Sequence, residues 1–174
     1  HLAIRDDGAF EGSVSGGCIE GEVVTEALAA IRGNTFKRLE FGVANEDAWR
    51  VGLACGGKVA VFVTSVSDDT LVVLAAMQDA RRTGRQMALL TDPQSGAHAL
   101  SMEGNIEKGG LQPTAAQNEE LLARLRTDRS GIIGEQSDAP IFARIYNPQL
   151  RLLIVGAVHI AQALAPMAAS AGFE

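Results

Sequence analysis

Two cysteines, each set beside paired glycines, are the residues of this chain best suited to chemistry. The first stands in Gly12-Ser13-Val14-Ser15-Gly16-Gly17-Cys18-Ile19-Glu20-Gly21, the second in Gly52-Leu53-Ala54-Cys55-Gly56-Gly57. Glycine costs backbone entropy, so a cluster of them serves φ > 0 turns or close approach of backbone to a ligand. Ten of the 19 glycines fall in the first 60 residues, which concentrates such turns around the two cysteines. In the first loop Ser13, Ser15, Gly16 and Gly17 offer hydroxyls and backbone N–H groups ahead of a helix N-terminus. That arrangement suits an anion such as phosphate. Cys18 sits where the helix dipole favours a thiolate, and Glu20 nearby opposes it. Cys55, with Gly56 and Gly57, leads straight into a strand and has little beside it to shield its sulfur. The competing reading makes both cysteines small buried fillers, since cysteine is among the most buried residue types.

Other residues make weaker candidates. The cysteines lie 37 positions apart with no CxxC, and His1, His98 and His159 are scattered, so neither a metal site nor a Cys–His pair is expected. Trp49, the lone tryptophan, either walls a ligand site or fills core. Arg81, Arg82 and Arg85 read as a solvated helix face, and His98 as a structural residue in an apolar strand.

The elements that position these residues follow from periodicity and punctuation. Residues 8–12 read as a turn between short strands. A helix is expected over 19–32, with Val24, Leu28 and Ile31 on one face, Glu20 and Glu22 in its first turn and Gly33-Asn34 as its stop. Strands are expected at 36–41 and 58–66, the latter rich in β-branched residues. Asp68-Asp69 caps a helix over 70–83 that ends at Gly84. A buried strand at 86–91 stops at Asp92-Pro93, and a weaker strand covers 97–102. Thr114 with Gln117 forms a capping box for a helix to about 128. Strands near 131–135 and 141–146 follow. After the linker Asn147-Pro148, a strand at 151–155 runs through Gly156 into an apolar helix. The alternation implies an α/β class. We expect a mixed-sheet domain over 1–147, then, over 151–174, the first strand and helix of a truncated Rossmann-like domain. There Gly156-Ala157-Val158-His159-Ile160-Ala161 takes the place of the dinucleotide fingerprint G-x-G-x-x-G, with Val158 at the second glycine and Ala161 at the third.

Composition excludes several classes. With 47% apolar residues the 174-residue chain can bury a core and is not a disordered one. A net charge of −6, spread without blocks of like sign, argues against a nucleic-acid binder. The longest apolar runs fall far short of the roughly 20 residues that span a bilayer. Two cysteines fit a reducing, cytoplasmic setting better than a disulfide scaffold. The chain opens on His1 rather than Met and is read as clipped at its start.

Three stretches, in order, resemble the XdhC/CoxI family: GSVSGGCIEGEV at 12–23, FGVANEDAWRVGLACGG at 41–57 with the strand after it, and LLIVGAVHIAQALAPMAASAGF at 152–173. The resemblance implies an N-terminal α/β domain followed by a Rossmann-like one. It also implies an accessory protein for xanthine dehydrogenase and related molybdenum hydroxylases. Such a protein binds molybdenum cofactor (molybdopterin), assists its sulfuration and delivers it to the apo-enzyme. It associates with itself and with cofactor maturation or sulfuration proteins. Carried over by position, the cofactor-binding residues are Ser13, Ser15, Gly16, Gly17, Cys18, Cys55, Gly56 and Gly57. The family's G-x-G-H becomes Gly156-Ala157-Val158-His159, which keeps Gly156 and His159 and loses the middle glycine. A maturation chaperone without catalytic residues is therefore the leading expectation. An NAD(P)-binding oxidoreductase using the C-terminal unit is the alternative.

Overall fold

A computed structural model describes residues 1–42, 58–156 and 158–174. The chain builds two separate cores before residue 147, followed by a lightly attached C-terminal segment.

The first core lies around one helix. Strands β1 (Leu2–Ile4) and β2 (Phe10–Gly12) pair antiparallel. The turn between them falls at 5–9 rather than at 8–12. Gly8 supplies the positive φ of 85°, and the Asp7 carboxylate accepts from the Ala9 N–H at 3.0 Å. Helix α1 (Glu20–Gly33) then packs on the antiparallel pair β3 (Phe36–Gly42) and β4 (Lys58–Thr64). The residues it buries are Val23, Ala27 and Ala30, which join Ile19, Leu39 and Val63 in one cluster. The expected face of Val24, Leu28 and Ile31 is only half-buried. Small alanines let the helix lie close to the strands, so the seam follows them rather than the larger neighbours. The helix stops at Asn34, whose left-handed φ of 47° is tolerated by a short polar side chain.

The second core is an antiparallel five-stranded sheet between two helices. Its strands are β5 (Met87–Thr91), β6 (His98–Met102), β7 (Asn105–Gly109), β8 (Gly131–Ile133) and β9 (Ile141–Tyr146), in the order β7-β6-β5-β9-β8. Alternate side chains serve opposite faces, as the pleat requires. Met87, Leu100 and Met102 pack with Val73 and Ala80 of helix α2 (Asp68–Arg82). Ala88, Leu90, Ala99, Ile141, Ala143 and Ile145 pack with Leu121 and Leu125 of helix α3 (Ala115–Thr127). The class is α/β as expected, but every pairing among the described residues is antiparallel, not mixed. The cause is local: β5, β6 and β7 follow one another through short connections, and such neighbours must pair antiparallel. Strand β7 is absent from the sequence expectation because its residues NIEKG are largely exposed and show no apolar run. The cap of α2 is Ser67, whose hydroxyl accepts from the Thr70 N–H at 3.3 Å, one residue ahead of the expected Asp68-Asp69. The capping box of Thr114 and Gln117 forms as expected.

The C-terminal segment differs. Residues 151–155 form no strand, and helix α4 (His159–Ser170) buries none of its residues. A strand needs a ladder partner for its N–H and C=O groups. Here the backbone of this segment pairs with the last residue instead: Leu152 N–H donates to the Glu174 carbonyl and Glu174 N–H to that of Leu150. Among the described residues no helix is long and apolar enough to cross a membrane.

Candidate functional site

The Cys18 loop joins β2 to α1, and its shape is set by one acid of the helix. Glu20, the first residue of α1, turns its carboxylate back into the loop. Its Oε1 accepts from the Ser13 hydroxyl (2.8 Å) and from the N–H groups of Val14 (3.0 Å), Ser15 (2.8 Å) and Gly16 (3.1 Å). Its Oε2 accepts from the Ser15 hydroxyl (2.6 Å) and from the N–H groups of Gly17 (2.9 Å) and Ile19 (3.3 Å). The serine hydroxyls act a second time as acceptors. Ser13 Oγ takes the Gly16 N–H, and Ser15 Oγ takes those of Cys18 and Ile19. Gly16 and Gly17 are needed for the backbone path itself, at φ 78° and 118°.

The electrostatic result is large. Hydrogen bonds to the charged form favour ionisation. The Ser15 hydroxyl, then its N–H, hold the Glu20 carboxyl far below the usual carboxylate range, with Ser13 and Val14 adding to this and burial opposing it. The acid is buried, at 8% exposure, so water does not compete strongly for these donors. Next to it Ile19, also buried, anchors the loop in the first core, while Cys18, just before both, lies exposed. The loop thus gathers Ser13, Ser15, Gly16, Gly17 and Cys18 into one element. Its anion-binding donors face Glu20, and Cys18 is an exposed residue of the loop.

The other expected residues fall elsewhere. Cys55, Gly56, Gly57 and Trp49 lie outside the described residues. Gly156, at φ 114°, and His159, the first residue of α4, stand exposed at a different helix start. No side chain caps that helix and its first turn holds no acid. His98 opens β6 and is half-buried, with its Nε2 buried and without a hydrogen-bond partner among the described residues. Its Nδ1 meets Thr91 Oγ1 at 3.1 Å, Phe62 approaches edge-on, and burial pushes its pKa down. Arg85 pairs at the surface with Glu103 and Glu107. The residue sequence reasoning missed is Glu20. It reads there as an opponent of the Cys18 thiolate, whereas it is the group that fills the loop. The available signal was its place at the first helical position after two serines and two glycines, where an acid meets unpaired N–H groups.

Residues 1–42, the stretch that contains this loop, match the XdhC and CoxI family. Beyond it, the chain is 26% identical over 203 residues to the uncharacterized protein YqeB of Escherichia coli K12, covering 99% of this chain and 37% of that relative. It also shares its fold with a Bacillus halodurans protein described as a xanthine dehydrogenase. The TM-score is 0.70 at 21% identity, over 99% of this chain and 50% of the other. The chain therefore spans half or less of the length of these two proteins.

Proposed function

We propose that this chain acts in the maturation of a xanthine dehydrogenase-type molybdenum hydroxylase. In this reading it binds molybdenum cofactor, assists its sulfuration and hands it to the apo-enzyme without turnover of its own. The supporting observation is the family match over residues 1–42, because that stretch holds the whole Cys18 loop. A carrier needs an accessible contact, and Cys18 is exposed. A thiolate is a soft ligand suited to molybdenum or to a sulfur in transfer. Bound cofactor would supply a dithiolene-held metal and a terminal phosphate.

The phosphate does not fit the Cys18 loop as it stands. Both hydroxyls and the N–H groups of Val14, Ser15, Gly16, Gly17 and Ile19 are already given to Glu20. A phosphate would have to displace that carboxylate. The proposed contact therefore falls to Cys18, with Cys55, Gly56 and Gly57 as its second part. Residues 151–174 are read as the start of a Rossmann-like unit, and Gly156 and His159 as its vestige of a cofactor turn. The partners are the apo-hydroxylase, sulfuration or maturation proteins and a second copy of the chain, in the cytoplasm.

The test is a pair of titrations of the purified protein, one with molybdenum cofactor and one with NAD(P)H. Saturable cofactor binding that Cys18→Ser or Cys55→Ser weakens is the expected result. Binding of NAD(P)H alone would replace this reading with that of an oxidoreductase. Cofactor binding untouched by loss of both thiols would remove the cysteines from it.

A further inference from the structure

A loop of two serines, two glycines and five inward N–H groups has the form of an anion cradle, yet its anion is part of the chain. We infer that Glu20 is the positioning residue of the Cys18 loop: its carboxylate, rather than any external anion, gathers the loop and fixes where Cys18 is presented. Seven donors converge on the two carboxylate oxygens. They come from Ser13 to Ile19, the full span between the end of β2 and the start of α1. No backbone–backbone bond among the described residues links Val14, Ser15, Gly16 or Gly17 to another element. Without the carboxylate the N–H groups of Val14, Ser15 and Gly17 have water as their alternative, Gly16 keeps only its bond to Ser13 Oγ, and two positive-φ glycines leave the backbone free to wander. Glu20 itself is held on α1 beside Val23 and Ile19, in the buried cluster of the first core. The acid therefore ties an exposed thiol to a rigid helix. The inference rests on the reading that the Cys18 loop is the working surface of the chain, but it concerns the order of the loop and needs no cofactor for its test.

The test compares the intact chain with Glu20→Ala, Glu20→Gln and Glu20→Asp. Two readouts are used: amide hydrogen exchange over 13–19, and the pH profile of Cys18 alkylation by iodoacetamide, resolved by peptide. In Glu20→Ala, exchange over 13–19 is expected to rise about tenfold or more while the amides of β5 and β6 keep their protection. Acetate in molar excess should restore protection by taking the vacated place. If Glu20→Ala does not fold, Glu20→Gln serves, since it keeps the length and replaces one acceptor oxygen with an NH2 that faces donors. It should loosen the loop more than Glu20→Asp, which keeps the charge. Inorganic phosphate should leave the intact loop unchanged. Unaltered exchange and an unaltered alkylation profile in Glu20→Gln, or added protection of the intact loop by phosphate, overturns the inference. An ordered loop in a protein that fails to bind molybdenum cofactor would instead count against the proposed function alone.

Discussion

Two helix starts in this chain follow glycines and invite the same reading, yet they are built in opposite ways. At α1 the preceding loop is closed by Glu20, the N-cap Ile19 is buried, and the helix carries the first core on Val23, Ala27 and Ala30. At α4 the N-cap Val158 offers no side-chain acceptor, the first turn has no acid, and no residue of the helix is buried. The difference teaches that glycines before a helix do not by themselves make an anion site. What matters is whether the chain supplies its own anion and whether packing holds the helix still.

A matched pair of substitutions would break this contrast most visibly. Ile19→Ala removes a buried side chain at the start of α1 and should cost about 2–5 kcal/mol. Ile160→Ala, one residue into α4 and 75% exposed, should stay within about 0.5 kcal/mol. Urea unfolding of both variants checks this, and equal losses would show that α4 is packed after all.

Acid should act on the start of α1. The folded Glu20 carboxyl ionises well below the ordinary value of 4.5, so its contribution is complete above that value and is lost as pH falls through and below it. Denaturant midpoints of the intact chain and of Glu20→Gln should therefore converge as pH drops from about 6 toward 3, given ordinary carboxylate values in the unfolded chain. A constant gap across that range would mean that charge is not what Glu20 contributes.

The glycines give a smaller and sharper comparison. Gly17 and Gly156 have similar φ of 118° and 114°, and a Cβ at either would meet nothing within 4 Å. The strain of Gly→Ala is thus alike at both, on the order of 1–2 kcal/mol. Gly17→Ala should lower the unfolding midpoint of the first core because Gly17 donates to Glu20. Gly156→Ala should leave the global midpoint in place, since α4 buries nothing whose loss unfolding would report.

Much of this was legible in the sequence, for reasons that differ by element. The capping box at Thr114 and the strand over 141–146 declare themselves because each carries a local signal, a reciprocal cap or a clean alternation. Strand β7 did not, because an exposed edge strand needs only backbone pairing and leaves no apolar trace. The strand expected at 151–155 fails for the opposite reason: RLLIV has the composition of a buried strand, but composition does not supply a ladder partner. The Cys18 loop was found by its glycines and serines, while the role of Glu20 was not. Sequence spacing shows that an acid stands near a set of donors. It does not show that the side chain folds back onto them rather than pointing to solvent.

The smallest effect should come from giving α4 what its start lacks. Val158 already has the extended N-cap backbone, at φ −90° and ψ 167°, but no oxygen on its side chain. Val158→Ser places a hydroxyl where a serine cap accepts from an N–H of the first turn, as Ser67 does for α2. A cap of this kind is worth about 1 kcal/mol, which corresponds to roughly fivefold slower amide exchange in the first turns of α4. The global unfolding midpoint should not move, because the helix would gain a bond without gaining a surface to pack on. A midpoint that rises with the cap would show α4 unfolding together with the sheet, and the contrast between the two helix starts would then be one of capping rather than of packing.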